Sequence, residues 1–368
     1  MRHDVGFTIE IQLGHSRMTR TAIVAGASGL VGRCIVNELL KTGSWNIIGL
    51  GRRMQSMDGV RWIAVDLANA ADCRRAFRTS GPLNQVTHVF YAGRYDHPEG
   101  VPESVEINTA MLVNLVNALE PVAQLQHVHV VHGSKYYGHQ LGPVPLPMAE
   151  HQSRATNENF YFNQEDFLIE RTQHATWRYS TSRPHAFCDP AIDHPRSIGL
   201  VIAVYAAIQR ELGLPLNFPA SEKGFHALTQ FTDLALLGRS AVWMANEPRC
   251  ANQAFNVVNG DTLRWSELWP DFAAALGMPC GTPQNIKLEH WIKDKGPAWK
   301  AVVNKHKLRA TDVHQLALWP YGDYQLSPQW DVTSSMEKAR KLGFNDAVDS
   351  YQMFRRQFEH YQAEKIIP

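Results

Sequence analysis

Three glycines at a regular interval, two adjacent arginines, a loop lysine and a helix tyrosine are the residues of this chain whose types and spacing suit chemistry. Gly26-Ala-Ser28-Gly29-Leu30-Val31-Gly32 follows directly on the apolar run Thr21-Ala-Ile-Val-Ala. A tight turn, close approach of the backbone to a diphosphate and close helix packing each exclude a Cβ, so Gly-x-x-Gly-x-x-Gly in this position suits a dinucleotide; a purely structural glycine turn is the alternative. Arg52 and Arg53 end the second apolar run, Asn46–Leu50, after Gly51. A chain that binds NAD usually offers Asp or Glu there to the ribose 2′-hydroxyl. Two guanidinium groups suit a 2′-phosphate instead, which favours NADPH over a solvated basic turn. Asp66 and Leu67, after the third run, are placed to hold the adenine edge, although an Asp after a strand is equally a helix cap.

Hydride transfer at such a site needs a proton donor. Tyr-x-x-x-Lys on one helix puts both side chains on one face, four residues apart. The chain has one such match, Tyr361 with Lys365, and it lies at the extreme C-terminus, beyond the whole dinucleotide pattern. Tyr161 has Glu165 where the lysine would stand, so a lysine partner must come from another element. Lys135, in Gly133-Ser-Lys135-Tyr-Tyr-Gly138, follows the strand-like His127–Val131 directly. An ammonium there could lower a tyrosine pKa and hold the nicotinamide ribose; a surface lysine in a loop is the plain alternative.

The elements that must position these groups alternate. Strand-like runs at Thr21–Ala25, Asn46–Leu50, Trp62–Val65, His88–Tyr91 and His127–Val131 are separated by helical patterns, among them Ala70–Arg78 and Asn108–Leu119. This predicts an α/β fold, a Rossmann-type doubly wound parallel sheet with the glycine turn at one edge. After about residue 185 a helix over Ile198–Leu212 and Trp-rich segments predict a smaller, mostly helical substrate-binding region, with Thr176–Arg183 and Ala254–Val258 returning to the sheet. The expected divisions are a mobile tail at 1–20, with Met18 a candidate start, a cofactor domain at 21–190 and a substrate region at 191–368.

Composition narrows the class. The chain has 368 residues, 44% hydrophobic and 19% charged, with a net charge of +1, which describes an ordinary soluble globular protein and excludes a strongly basic nucleic-acid binder. Cys34, Cys73, Cys188, Cys250 and Cys280 are scattered and never spaced Cys-x-x-Cys, so neither disulfides nor zinc are expected. No signal segment or run of about 18 apolar residues appears, and a cytoplasmic location is the default.

Several clusters have a functional reading beside a plain one. His127, His129 and His132 invite a metal, but the third falls out of phase with strand alternation, and no metal is expected. His185 and Cys188 lie where they could line a pocket or simply pack. Asn108 could orient backbone or water near the site. Trp319, Tyr321, Tyr324 and Trp330 could roof an apolar substrate or fill a core.

Taken together, Gly26–Gly32, Gly51–Arg53, Gly133–Gly138 and Asn159-Phe-Tyr161-Phe-Asn-Gln-Glu-Asp166 resemble the signature blocks of the progesterone 5β-reductase/iridoid synthase-like short-chain reductases. Trp177–Pro184, Val204–Ile208, Ala254–Asp261, Trp319–Asp323 and Lys365–Pro368 resemble that family's later blocks in the same order. The resemblance covers nearly the whole chain from about residue 20 and implies an extended, atypical short-chain dehydrogenase scaffold of a kind that often dimerises. It implies Lys135 and Tyr161 as the catalytic pair, also touching cofactor, and an NADPH-dependent 1,4-reduction of the C=C bond of a small enone or enal. Two residues depart from the pattern: His132 stands where the family usually has Thr, and Phe162 replaces a second Tyr. Carbonyl reduction, sugar-nucleotide epimerase or dehydratase chemistry, and a non-catalytic NADPH sensor are the competing readings.

Overall fold

The computed structural model describes residues 20–95, 97, 101–309 and 311–368. Apart from Arg20, the expected tail lies outside them. Seven strands, β1 (Arg20–Ala25), β2 (Trp45–Gly51), β3 (Val60–Ala64), β4 (Val86–Tyr91), β5 (His127–Val131), β6 (Arg178–Pro184) and β7 (Gln253–Val257), form one sheet in the order β7-β6-β5-β4-β1-β2-β3. Every pairing is parallel. A parallel sheet is covered on both faces, and the central strand β1 is accordingly a continuous apolar run, buried from Thr21 to Ala25.

Right-handed crossovers through helices produce those two layers. On one face α1 (Leu30–Thr42) packs beside a helix from the second half of the chain, Leu234–Asn246, over a core that includes Val24, Ile35, Leu237 and Phe255. On the other face α2 (Ala70–Thr79), α3 (Val105–Leu119) and α4 (Phe160–Thr172) cover Ile23, Val89, Leu115 and Val128. Ile198–Glu211 forms α5, whose apolar residues are buried nearly all round because Gly296–His306, Trp319–Leu326 and Ser350–Ala363 pack against it in a third core that Trp265–Ala275 completes.

The two segments expected to rejoin the sheet do so as β6 and β7, so the second half of the chain is interleaved with the first rather than strung after it. Among the described residues no helix is long and apolar enough to cross a membrane. The sheet reverses its winding between β1 and β4, where the chain leaves on opposite sides and a crevice opens at the carboxyl ends of the strands.

Candidate active site

A cavity of about 870 Å³ runs along that edge, from the glycine turn at Gly26 past the ends of β4 and β5 to Tyr324 and Trp330. Its first end is backbone. Gly26 has φ +75°, and a Cβ there would stand 2.8 Å from the Ala92 carbonyl oxygen across the switch point. Gly29 caps α1 with no side-chain hydrogen bond and no acidic residue in the first turn, so the helix N-terminus presents main-chain N–H groups and a positive dipole end. Ser28, Gly29, Leu30 and Val31 line the cavity. Gly32 does not; a Cβ there would lie 2.0 Å from the Gly26 carbonyl oxygen, so its part is to let the helix close on the turn.

Of the two arginines expected together, both exposed, Arg52 lines the cavity just past the end of β2, whereas Arg53 is outside the lining, its carbonyl accepting from Trp62 Nε1. Asp66 and Leu67 line the neighbouring wall. The cap of α2 is Asn69, not Asp66, so the plain alternative for Asp66 falls. Bare backbone where a Cβ would clash, an uncapped helix N-terminus and an arginine at the β2 end together fit a dinucleotide.

The other end is made of side chains. Asn159 caps α4 by accepting from the Tyr161 N–H at 3.0 Å, which sets Tyr161 in the first turn, facing the cavity. A Cβ on Gly133 would stand 3.1 Å from Tyr161 Oη, so glycine there gives the hydroxyl room. Lys135 reaches the cavity from the 3₁₀ turn Ser134–Tyr137, closed by Gly138 at φ +80°. The residues around it hold that turn. Tyr136 donates to Glu165 (2.6 Å), and Tyr137 donates to Asn256 (2.7 Å) on β7. Arg183, 2% exposed, bonds both Glu165 (3.0 Å) and Tyr137 (3.1 Å), with its guanidinium 3.4 Å above the Tyr136 ring. Glu165 thus occupies the helix position of a Tyr-x-x-x-Lys lysine, and its charge is spent on a buried pair whose separation would leave an uncompensated ion.

Tyr161 is pushed up to about 12, by burial first and by the Glu103 carboxylate second, while Arg196 and Arg94 pull the other way. It is therefore a neutral hydroxyl at physiological pH. The expected direct lowering by Lys135 gives way to a different arrangement, in which Arg94 (2.6 Å) and Lys135 (3.8 Å) both engage Glu103. Burial lowers the Lys135 pKa and Glu103 raises it again; the net direction is down. Glu103 itself is lowered, because Lys135 and Arg94 outweigh the opposing effect of burial. The Lys135 ammonium also sits 5.0 Å above the Tyr324 ring.

His132 stacks on Tyr161 with ring centres 4.9 Å apart, and burial, then Arg183, pushes it down to about 3, so the ring is neutral. Neither of its ring nitrogens completes a hydrogen bond among the described residues, although Gln164 lies beside it. Phe162 packs edge-on against Tyr136 in a small apolar cluster and does not itself line the cavity.

Residues 22–368 match the model of the PRISE-like Rossmann-fold domain. The chain belongs to that family. It is 31% identical to a short chain dehydrogenase, gsfE, of Penicillium aethiopicum over 95% of this chain and 100% of that one. It is 30% identical to the 3-oxo-Delta(4,5)-steroid 5-beta-reductase of Arabidopsis thaliana, over 94% and 93% respectively. The (S)-8-oxocitronellyl enol synthase ISY1 of Nepeta racemosa is 29% identical over the same shares. Among solved structures, a short-chain dehydrogenase/reductase superfamily protein from Agrobacterium tumefaciens with bound NAD superposes at a TM-score of 0.65 and 16% identity, covering 94% of this chain and 98% of that one. The UDP-glucose 4-epimerase of Thermus thermophilus superposes at 0.64 and 17%, covering 93% and 99%. This PRISE-family chain is an oxidoreductase of the short-chain type.

Other expectations divide. His185 lines the cavity, its Nε2 2.7 Å from Ser334 Oγ, whereas Cys188 is buried in the helical core. Tyr321, Tyr324 and Trp330 line the roof; Trp319 is buried and donates to the Val313 carbonyl. Asn108 orients backbone, accepting from the Tyr95 N–H and donating to the Ser104 carbonyl. Tyr361 is a core residue donating to the Asp189 carbonyl. Of the metal-like pattern, His127 and His129 share Ser180, and His129 also meets Ser182, whereas His132 stacks on Tyr161. Arg94, Glu103 and Arg196, which give the reacting end its charge, were not foreseen. Arg94 had a signal, three residues past the end of β4 at Tyr91, while Glu103 and Arg196 had none.

Proposed function

We propose that this PRISE-family oxidoreductase reduces the activated C=C bond of an enone or enal with NADPH. When bound, NADPH supplies the hydride, which is delivered to the β-carbon. Gly26, Ser28, Gly29, Leu30 and Val31 hold the diphosphate by main-chain N–H groups, Gly32 keeps α1 against the turn, and Asp66 and Leu67 flank the adenine. Arg52 contacts the 2′-phosphate, with Arg53 adding long-range charge.

Addition at the β-carbon moves negative charge onto the carbonyl oxygen. Tyr161 donates a hydrogen bond to that oxygen and stabilises the enolate as it forms. The observation that carries this reading is a buried tyrosine, kept protonated and facing the cavity among the cations Arg94, Arg196 and Lys135. A donor of this kind needs its proton, and the Tyr161 hydroxyl carries it at neutral pH. Lys135 holds the nicotinamide ribose and, with its two arginine neighbours, offsets the charge growing on the substrate oxygen. The α-carbon takes its proton from solvent, so no second acid is needed.

The deciding experiment follows NADPH consumption with 2-cyclohexen-1-one, a citral-type enal and progesterone, and identifies the products. Saturated carbonyl compounds, lost with Tyr161→Phe while NADPH still binds, are expected. Allylic alcohols would move the reading to carbonyl reduction. Tight NADPH binding with no turnover of any enone would favour a sensor.

A further inference from the structure

Among the described residues, Arg196 differs from the other cations at the reacting end in touching no acidic partner. Arg94 and Lys135 share Glu103, so that carboxylate is already engaged twice. Arg196 lines the same cavity, half-buried. Its guanidinium lies 5.2 Å above the ring of Tyr321, another lining residue, and among the described residues it forms no salt bridge and no side-chain hydrogen bond. With Tyr321 and Tyr324 it lines the end of the cavity that holds Tyr161, and its positive charge favours the ionised form of Tyr161 and Tyr324.

Among the described residues of that end, three cations, Arg94, Lys135 and Arg196, stand against the carboxylate of Glu103 and face a roof of Tyr321, Tyr324 and Trp330. A wholly apolar substrate gains nothing from an unpaired guanidinium, and desolvating that cation without a partner is costly. An anionic group on the substrate resolves both. A planar fork held by stacking on a tyrosine matches a carboxylate in two parallel hydrogen bonds.

Resting on the enone reading above, we propose that the substrate is an α,β-unsaturated carbonyl compound bearing a carboxylate, and that Arg196 anchors this carboxylate while Tyr161 takes the carbonyl oxygen. Arg196 is then a specificity-determining residue at the substrate end.

The test uses a series of 3-(carboxyalkyl)-2-cyclohexen-1-ones of increasing chain length and their methyl esters. Binding to the full-length protein saturated with NADP⁺ is measured by calorimetry, and turnover is measured separately with NADPH. At the best chain length the acid should bind at least about tenfold more tightly than its ester, as a charge-assisted bidentate contact implies. Arg196→Gln should bring that ratio close to one, and Arg196→Lys should keep part of it. Acid and ester binding equally at every length, or a preference for acid that survives Arg196→Gln, overturns the proposal. Turnover answers a different question: acids that bind through Arg196 without any reduction would sink the enone reading and leave the anion site standing, while neutral enones reduced with no acid preference would do the reverse.

Discussion

At one end of the cavity the wall is main chain, the turn Gly26–Gly29 and the uncapped N-terminus of α1; at the other it is side chains, Tyr161, Lys135, Glu103, Arg94 and Arg196, drawn from separate elements. The first end recognises phosphates by what is absent, a Cβ at each close approach, and contains no titratable group in its turn. The second works by charge balance among neighbours. Two kinds of failure follow: substitutions at the backbone end act through sterics on fold and cofactor together, while those at the side-chain end act on protonation and turnover with the fold intact.

Acid should separate the two ends most strongly. Six buried histidines lie in the sheet or beside the reacting end, and burial pushes His88 and His139 down to about 4 and His127, His129, His132 and His185 down to about 3. The unfolded chain protonates them near 6.5, the native chain does not, so stability is unaffected by them above pH 6.5 and falls as pH drops from 6.5 towards 4. Each contributes about 1 kcal/mol per pH unit in that window, and a few acting together approach the whole stability of a domain. Thermal unfolding midpoints should be level from pH 8 to 7 and drop steeply below 6.5. A midpoint unchanged at pH 4.5 would mean that the rings are not held neutral.

Gly32→Ala tests the backbone end. The new Cβ meets main-chain atoms of Gly26 and Ala27 at 2.0 to 2.8 Å, none of which is a flexible side-chain tip. A loss of about 3 kcal/mol, together with NADPH binding too weak to titrate, is expected from overpacking of this kind. Normal melting with normal NADPH affinity would show that the turn can relax, and that steric exclusion is not what defines this end. Tyr161→Phe is the matching change at the other end. It should cut kcat by roughly 100- to 1000-fold, as loss of a donor to a developing oxyanion does, with NADPH affinity and melting within about twofold and 2 °C of the wild type. A parallel loss of NADPH affinity would make Tyr161 a binding residue first.

The same division explains what could be read before the fold was seen. Glycine spacing and apolar runs are local, so the turn, the seven strands and the return of β6 and β7 were legible from order alone. Lys135 and Tyr161 sit in different elements, and no short-range spacing joins them; resemblance to a family supplied the pair. Arg94, Glu103 and Arg196 line one end of the cavity from loops at the carboxyl edge of the sheet, and Arg196 is far from the other two in sequence, which sequence neighbourhood does not reveal. Cys188 shows the limit of strand-end reasoning. Pro184, His185, Ala186 and Phe187 all line the cavity, while the next residue, Cys188, turns to the core.

The subtlest difference lies within Gly51-Arg52-Arg53, where backbone and side-chain recognition meet. Both arginines suit a 2′-phosphate by type, but only Arg52 lines the cavity, and Arg53 is exposed with its carbonyl engaged by Trp62. A charge-assisted contact to a phosphate contributes about 1.5 to 3 kcal/mol, whereas an exposed charge acting at a distance is screened within about 8 Å at physiological salt. Arg52→Ala should therefore narrow the preference for NADPH over NADH, measured as the ratio of kcat/KM, by about tenfold or more, and the loss should persist at high salt. Arg53→Ala should narrow it by about twofold, and that smaller effect should disappear on raising the salt. Equal losses from the two substitutions would mean that both side chains close on the phosphate, and the β2 end would then belong with the side-chain end of the cavity.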